Sequence, residues 1–164
     1  MKIILIGFAC SYKSTVGALL SEKPGLKHID VDKEAERTAK RSISEIFETS
    51  GEAEFRRTES VVLSSLQDVN DVVISCGGGS VLSDGFASFA SKATVVWLTV
   101  TADSVLCRLG DTPRPLFDGL NANEIEAIIA ERSAYYSRYA DVIVSTDGKT
   151  SIQVAEEIYN KLFE

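Results

Sequence analysis

At 164 residues the chain is long enough to bury a substantial core, and we expect residues 1–164 to form one domain. The 24 acidic residues outnumber the 17 basic ones, and the net charge of -7 argues against nucleic-acid binding as the main role, because such proteins usually present a basic surface. The three cysteines lack metal-site spacing, and neither a signal-peptide pattern nor an apolar run near the ~20 residues of a membrane span is present, so we expect a cytoplasmic protein that acts on small molecules.

Short runs of β-branched residues alternate with segments of helical spacing. The predicted strands are Ile3–Ile6, His28–Val31, Val72–Ser75, Thr94–Leu98 and Val142–Val144. The predicted helices are Thr15–Leu20, Glu52–Leu66, Ala102–Leu109, Asn123–Arg138 and Ser151–Phe163. The candidate N-caps are Thr101, Asn123 and Thr150, and Ser42–Glu45 has capping-box spacing. This alternation predicts an α/β three-layer sandwich around a five-stranded parallel sheet, with ligands at the carboxyl ends of the strands.

A phosphate-binding motif with one substitution follows the first predicted strand. Gly7, Lys13 and Ser14 stand at the spacing of G-x-x-x-x-G-K-[ST], which supplies a turn, an ammonium that reaches phosphate and a hydroxyl that binds magnesium. The second glycine of this P-loop motif is Tyr12. Because glycine permits left-handed dihedrals and close approach of phosphate, we expect Tyr12 to alter the loop.

Two more sets of candidate residues follow predicted strands. We expect Asp30 and Asp32 to share one face at a strand end, where one orients magnesium through water and the other meets a substrate hydroxyl. The alternative is that they cap the following helix. Gly77, Gly78 and Gly79 expose backbone N–H groups that suit a ligand, and a flexible turn is the alternative for them.

Arginines are the candidate anion-binding residues. Guanidinium forks bind carboxylates and phosphates through two parallel hydrogen bonds, and Arg56, Arg108, Arg114 and Arg132 lie in segments that could face a ligand. Arg56 and Arg132 could clamp a carboxylate. The alternative for each is an ion pair on its own helix, which for Arg56 would be with Glu52.

The segment from Gly110 to Asn121 has the weakest pattern for regular structure. It contains two of the three prolines and Arg114, and it predicts a mobile loop or lid. The single histidine, His28, lies in a predicted strand without ligand-spaced neighbours, so we expect it to be structural or solvent-facing.

Five sequence blocks together resemble shikimate kinase over essentially the whole chain. In order, the blocks are Gly7–Thr15, Asp30–Asp32, Ser42–Arg57, Cys76–Ser80, and Arg114–Leu116 with Glu131–Arg132. A P-loop alone occurs in many nucleotide-binding proteins. The Phe55–Arg57 segment, the triple glycine and Arg114–Leu116 point in combination to this family.

The resemblance implies a P-loop nucleotide-kinase-like fold and transfer of the ATP γ-phosphate to the 3-hydroxyl of shikimate, with Mg²⁺ as cofactor and a monomer as the default. It implies that Asp32 contacts the shikimate hydroxyls and that Arg56 and Arg132 hold the carboxylate. It also implies that the backbone of Gly77–Gly79 contributes to binding and that residues 32–60 form much of the shikimate site.

For the ATP half, the resemblance implies contacts from the loop residues Cys10, Ser11, Tyr12, Lys13, Ser14 and Thr15. Lys13 and Arg114 would stabilise charge on the transferring phosphoryl group, and Arg108 and Lys149 would lie on the nucleotide side. Ser14 would bind magnesium directly and Asp30 through water.

Departures from the family pattern fall on the ATP half: Cys10 and Tyr12 replace glycines, and Ser145 and Ser151 replace Asp and Pro. A left-handed Tyr12 would cost ~1–2 kcal/mol, whereas a relaxed Tyr12 would turn the loop N–H groups away from phosphate. We expect an unusual loop, a partly exposed Tyr12 and an active shikimate kinase with weakened ATP binding. The alternatives are a non-catalytic shikimate-binding or regulatory homologue and a kinase of a related small carboxylated polyol.

Overall fold

A parallel sheet between two layers of helices forms the centre of the fold. The computed structural model describes residues 1–110 and 117–164. In chain order the elements are β1 Lys2–Ile6, α1 Lys13–Glu22, β2 Lys27–Asp30, α2 Val31–Ala39, α3 Ile43–Ser65, β3 Val72–Ser75, a short 3₁₀ turn Ser80–Leu82, α4 Phe86–Ala90, β4 Thr94–Thr99, α5 Ala102–Leu109, α6 Ala122–Tyr139, β5 Val142–Ser145 and α7 Ser151–Phe163. All strand pairs are parallel, in the order β2-β3-β1-β4-β5, which confirms the predicted five-stranded sheet.

The central strand β1 separates the two helical layers. All five of its residues are buried, and successive side chains point to opposite faces of the sheet. Ile3 belongs to a core cluster with Val16 of α1 and Ile158 of α7, whereas Ile4 belongs to a cluster with Phe55 of α3. The three-layer arrangement is therefore confirmed. Within the described part of the chain, no helix has the length and apolarity needed to cross a membrane.

Side-chain caps set the starts of the later helices. Thr101 and Thr150 cap α5 and α7, as predicted. The prediction that Asn123 caps the next helix is wrong, because Asn121 Oδ1 accepts a hydrogen bond from the N–H of Glu124 at 3.0 Å and α6 begins one residue earlier. Two asparagines so close in sequence offer equivalent capping patterns, and the geometry of the preceding turn decides between them.

Helix α3 begins well before its predicted start at Glu52. Ser42 and Glu45 form the predicted capping box, which confirms a helix start at that point. Gly51, at φ 79° and ψ 174°, then interrupts the helical dihedrals inside α3. This kink breaks the apolar periodicity, which explains why the sequence pattern predicts the second half of the helix alone.

The end of β2 differs from the prediction and gives Asp30 a different local role. The strand stops at Asp30 and α2 begins at Val31, so the expectation that Asp30 and Asp32 alternate along a strand end is wrong. Asp30 Oδ1 accepts hydrogen bonds from the N–H groups of Asp32 at 3.0 Å and Lys33 at 3.2 Å. Capping of the following helix is therefore confirmed for Asp30.

A short relay of hydrogen bonds connects β2 and β3 to the start of α1. Ser75 Oγ donates to the Lys13 carbonyl at 2.8 Å, so the His28 Nε2–H that lies 2.9 Å from Ser75 Oγ is the donor of that bond. Gly17 of α1 leaves the space for this relay, because a Cβ there would lie 2.5 Å from His28 Nε2. The histidine is structural, and it supports the loop that precedes α1.

We predict that His28→Gln flattens the pH dependence of stability as the pH drops through 6.5. Burial lowers the pKa of His28 from 6.5, with Asp30 opposing and Lys33 adding to the shift. The unfolded chain then binds the proton more readily, so the free energy of unfolding falls as the pH drops through 6.5. Gln retains an N–H donor for Ser75 but does not titrate.

Urea unfolding at a series of pH values measures this effect. The matched control is Lys27→Gln, an exposed neighbour on the same strand, which should keep the native slope. An unchanged slope in His28→Gln would contradict the assignment of this pH dependence to His28.

Candidate active site

A cavity of about 560 Å³ lies where the segments that follow β1, β2 and β3 meet. The predicted site residues that line it are Cys10–Thr15, Asp30, Asp32, Arg56, Gly77–Gly79, Arg108 and Arg132. Lys149 does not line it, and Arg114 lies outside the described residues, as does half of the predicted lid. The cavity therefore joins the predicted phosphate loop to the predicted carboxylate-binding side chains.

The loop after β1 keeps left-handed backbone at both replaced glycine positions. Cys10 has φ 60° and Tyr12 has φ 66° with ψ 11°, conformations that cost a non-glycine residue ~1–2 kcal/mol. Tyr12 is half-buried, as expected. Gly7, at φ 143°, is required by close approach, because a Cβ there would lie 2.3 Å from the Leu98 carbonyl oxygen.

Lys13 is held against the same loop. Its ammonium donates to the Phe8 carbonyl at 2.7 Å, and Ser11 Oγ, which is buried, donates to that carbonyl at 2.8 Å. Lys13 Nζ also lies 3.4 Å from Ser11 Oγ. The positive charge is therefore fixed at the wall of the cavity before any ligand enters.

Ser14 and Asp30 form an oxygen pair at the cavity wall. Ser14 Oγ donates to Asp30 Oδ2, which leaves the lone pairs of the hydroxyl available to a metal ion. Mg²⁺ prefers oxygen ligands and commonly takes one or two protein groups, with water and phosphate completing its shell. The pair fits that requirement. In residues 1–110 and 117–164 there is no cluster of three or more His, Cys, Asp or Glu side chains that could hold a metal by itself.

The triple glycine leaves room for charged side chains. A Cβ on Gly77 would lie 2.8 Å from Asp32 Oδ1 and 3.0 Å from Glu59 Oε1, and a Cβ on Gly79 would lie 2.4 Å from Arg56 Nη2. None of the three glycines has a positive φ, so the missing side chain rather than an unusual dihedral is the reason for glycine here.

Arg56 lies between two glutamates of α3. Its Nη1 donates to Glu59 Oε2 at 3.0 Å and its Nη2 donates to Glu52 Oε1 at 3.4 Å. The helix pair with Glu52 is therefore present, yet Arg56 still lines the cavity with its side chain 24% exposed. Glu59 is fully buried and also accepts a hydrogen bond from Ser80 Oγ.

Sequence reasoning missed the role of Glu59. The available signal was an acidic residue within the apolar face of a helix, because a buried carboxylate needs a charged or hydrogen-bonding partner. Arg56 and Ser80 are those partners. They fix the carboxylate, and the carboxylate in turn orients the Arg56 guanidinium.

Arg132 and Tyr136 lie one helical turn apart on α6. The Arg132 guanidinium lines the cavity 5.9 Å from the Phe8 ring centroid, and the structure shows no ion pair for it with any described residue. Tyr136, which sequence reasoning also missed, donates from its hydroxyl to the Gly78 carbonyl at 2.6 Å. Burial raises the pKa of Tyr136 to about 12 despite the nearby Arg132 charge, so the hydroxyl stays protonated. The Tyr136 hydroxyl thus fixes the backbone carbonyl of Gly78.

Arg108 and Lys149 occupy different places. Arg108 reaches the loop and donates from Nη1 to the Cys10 carbonyl at 2.8 Å. Lys149 instead pairs with Glu157 of α7 at 2.7 Å. The structure therefore brings one of the two expected nucleotide-side cations to the cavity.

Comparisons with known proteins identify relatives in sequence and in fold. The family model for shikimate kinase matches residues 9–163. A shikimate kinase from Persephonella marina is 36% identical over 162 residues, which cover 98% of both chains. The fold is also similar to two solved structures. A shikimate kinase from Acinetobacter baumannii in complex with shikimate has a TM-score of 0.89 at 29% identity and covers 99% of this chain and 95% of that one. A shikimate kinase from Aquifex aeolicus has a TM-score of 0.83 at 39% identity and covers 99% and 96%.

We predict that Tyr136→Phe lowers the free energy of unfolding by about 1 kcal/mol, because the Gly78 carbonyl loses its donor. Guanidinium unfolding measures the change. The matched control is Tyr135→Phe, since Tyr135 is the exposed neighbour on α6, and its effect should stay within about 0.5 kcal/mol. Equal effects of the two substitutions would contradict the structural role of the Tyr136 hydroxyl.

Proposed function

The chain belongs to the shikimate kinase family, and from this we propose how its residues divide the transfer of the ATP γ-phosphate to the 3-hydroxyl of shikimate. The protein is an enzyme that phosphorylates shikimate. The observation that carries the residue assignment is the single cavity in which Lys13 and Ser14 of the loop face Asp32, Arg56 and Arg132.

The carboxylate of shikimate is assigned to Arg56 and Arg132. Both guanidinium groups line the cavity, and each can offer a planar fork of donors to a carboxylate. Glu59 holds Arg56 in place from the buried side at 3.0 Å. Asp32 and the backbone of Gly77–Gly79 are assigned to the hydroxyl groups.

The phosphates of ATP are assigned to Cys10–Thr15. Lys13 would exchange the Phe8 carbonyl for phosphate oxygens, because a phosphate is the stronger partner for an ammonium. Arg108 is assigned to the nucleotide side on its position at the loop. Lys149 and Arg114 keep that assignment from the family resemblance alone, since Lys149 pairs with Glu157 and Arg114 lies outside the described residues.

Mg²⁺ is assigned to Ser14, with Asp30 holding the hydroxyl proton and reaching the ion through water. When bound, the ion supplies positive charge that neutralises the phosphate oxygens. The Asp30 side chain is also held by its hydrogen bonds to the first N–H groups of α2, so the same carboxylate caps the helix and is oriented toward the proposed metal site.

The chemistry asked of the protein is mainly positioning. Phosphoryl transfer needs in-line alignment of the two substrates and stabilisation of the charge that develops on the transferring group. Asp32 would orient the shikimate hydroxyl and accept its proton, while Lys13 would stabilise the phosphoryl oxygens. We propose that residues 110–121 act as a lid that excludes water.

Location and assembly are proposals of the same kind. The free cysteines Cys10, Cys76 and Cys107 fit a reducing compartment, for which we propose the cytoplasm. We propose a monomer, which is the default that the family resemblance implies.

We predict shikimate-dependent ADP formation with millimolar ATP and magnesium, and a fall of roughly a hundredfold or more in kcat for Lys13→Met. Lys92→Met, a change at an exposed lysine before β4, is the control and should keep native turnover. The non-catalytic alternative would instead show shikimate binding by calorimetry without ADP formation in the native chain. Unchanged turnover in Lys13→Met would show that transfer does not run through this loop.

We predict that Arg56→Lys raises the KM for shikimate roughly tenfold or more with little effect on the KM for ATP, because a lysine cannot reproduce the two parallel hydrogen bonds. The matched control is Arg57→Lys, since Arg57 is the next residue on α3 and its side chain is 74% exposed. Steady-state kinetics with each substrate varied in turn separate the two constants. Equal losses for both substrates would contradict the assignment of Arg56 to the carboxylate.

A further inference from the structure

Arg108 makes contacts with both residues that replace glycines in the phosphate loop. Its guanidinium carbon lies 3.8 Å from the centroid of the Tyr12 ring, and its Nη1 donates to the Cys10 carbonyl at 2.8 Å. Cys10 and Tyr12 are also the two residues of the loop that have a positive φ without being glycine. The same side chain therefore contacts each strained position of the loop.

The Arg108 guanidinium also binds Thr146, the residue that follows β5. Nη1 donates to Thr146 Oγ1 at 2.9 Å, and Nη2 donates to the Thr146 carbonyl at 2.8 Å. Thr146 is fully buried, and both its N–H and its Oγ1 donate to the Thr99 carbonyl at the end of β4. The guanidinium thus joins the phosphate loop to the ends of β4 and β5.

These contacts support a left-handed backbone that glycines would adopt without support. A glycine adopts left-handed backbone without a steric penalty, whereas a tyrosine or a cysteine persists there when surrounding contacts hold it. Stacking of a guanidinium on an aromatic ring is such a contact, and it requires an aromatic side chain at position 12. A hydrogen bond to the Cys10 carbonyl fixes the orientation of the neighbouring peptide.

We propose that Arg108 is a positioning residue for the phosphate loop and that Tyr12 is its platform. The Arg108–Tyr12 stack and the bond to Cys10 hold the loop in its phosphate-binding shape in place of the two glycines. This inference rests on the proposed assignment of Cys10–Thr15 to the phosphates of ATP. A direct contact between Arg108 and the nucleotide would contribute the same affinity whatever residues stand at positions 10 and 12. A positioning role makes the contribution of Arg108 to nucleotide affinity depend on those two residues.

The test measures this dependence. ADP affinity is determined by titration calorimetry for Arg108→Gln in the native loop and in a loop that carries Cys10→Gly and Tyr12→Gly. We expect Arg108→Gln to weaken ADP binding roughly tenfold in the native loop. In the loop with the two glycines, the loss of ADP affinity caused by Arg108→Gln should be smaller by more than about threefold, because Arg108 and the loop residues are coupled. Equal losses in the two loops would show that Arg108 acts on the nucleotide directly and would overturn the proposal.

A second pair of variants leaves Arg108 in place. Tyr12→Phe keeps the ring that forms the stack and should bind ADP more tightly than Tyr12→Leu, which keeps an unfavourable left-handed residue without the ring. The matched control is Arg138→Gln, because the Arg138 guanidinium also lies near an aromatic ring, 5.8 Å from Tyr135, but outside the cavity. It should leave ADP affinity unchanged. Native affinity in Tyr12→Leu would overturn the role of Tyr12 as the platform.

Calorimetry with ADP needs no turnover, so failure of this inference is distinct from failure of the proposed function. Coupling between Arg108 and the loop without shikimate-dependent ADP formation would support the inference and contradict the function. Turnover without coupling would overturn the inference alone. Absence of ADP binding in every variant would overturn the assignment of the loop to phosphate and the inference with it.

Discussion

The pairing of β1 with β3 is the constraint on which the whole site depends. Leu5 lies opposite Ser75, and the N–H of Cys76 continues the ladder by donating to the Leu5 carbonyl at 3.0 Å. The carboxyl ends of both strands therefore lie side by side. The loop that follows β1 faces the glycines that follow β3. Because β2 pairs with the other edge of β3, Asp30 arrives at the same place. Parallel register thus brings together groups that are far apart in sequence.

The sequence predicted the sheet well because buried parallel strands are continuous apolar runs. Motifs at strand ends supplied many of the candidate site residues, and the structure brings most of the candidates to one cavity. Helix boundaries were harder to predict. Asn123 has the same capping chemistry as Asn121, and the break at Gly51 hides the periodicity of α3. Glu59 and Tyr136 act on the site through other residues, and no motif marks such supporting contacts. Their positions become visible when α3 and α6 are packed against the sheet.

The shikimate half and the ATP half of the cavity have different physical requirements. In the proposed assignment, the shikimate half surrounds a carboxylate with the guanidinium groups of Arg56 and Arg132, and the buried carboxylate of Glu59 holds Arg56. The ATP half must hold backbone N–H groups around phosphate although Cys10 and Tyr12 disfavour the required dihedrals. The strain, ~1–2 kcal/mol at each position, is comparable to the stabilisation that a stacked, hydrogen-bonded guanidinium can provide. We therefore propose that Arg108, through its contacts with Tyr12 and Cys10, keeps the loop in a left-handed conformation without glycines.

A crystal structure of the chain with ADP, magnesium and shikimate would show whether one cavity holds both ligands around a left-handed phosphate loop. We expect the shikimate carboxylate within hydrogen-bond distance of Arg56 and Arg132, and the β-phosphate within reach of the loop N–H groups. We also expect a positive φ at Cys10 and Tyr12. Shikimate bound away from the two arginines, or a phosphate held by a loop with negative φ at both positions, would contradict this expectation.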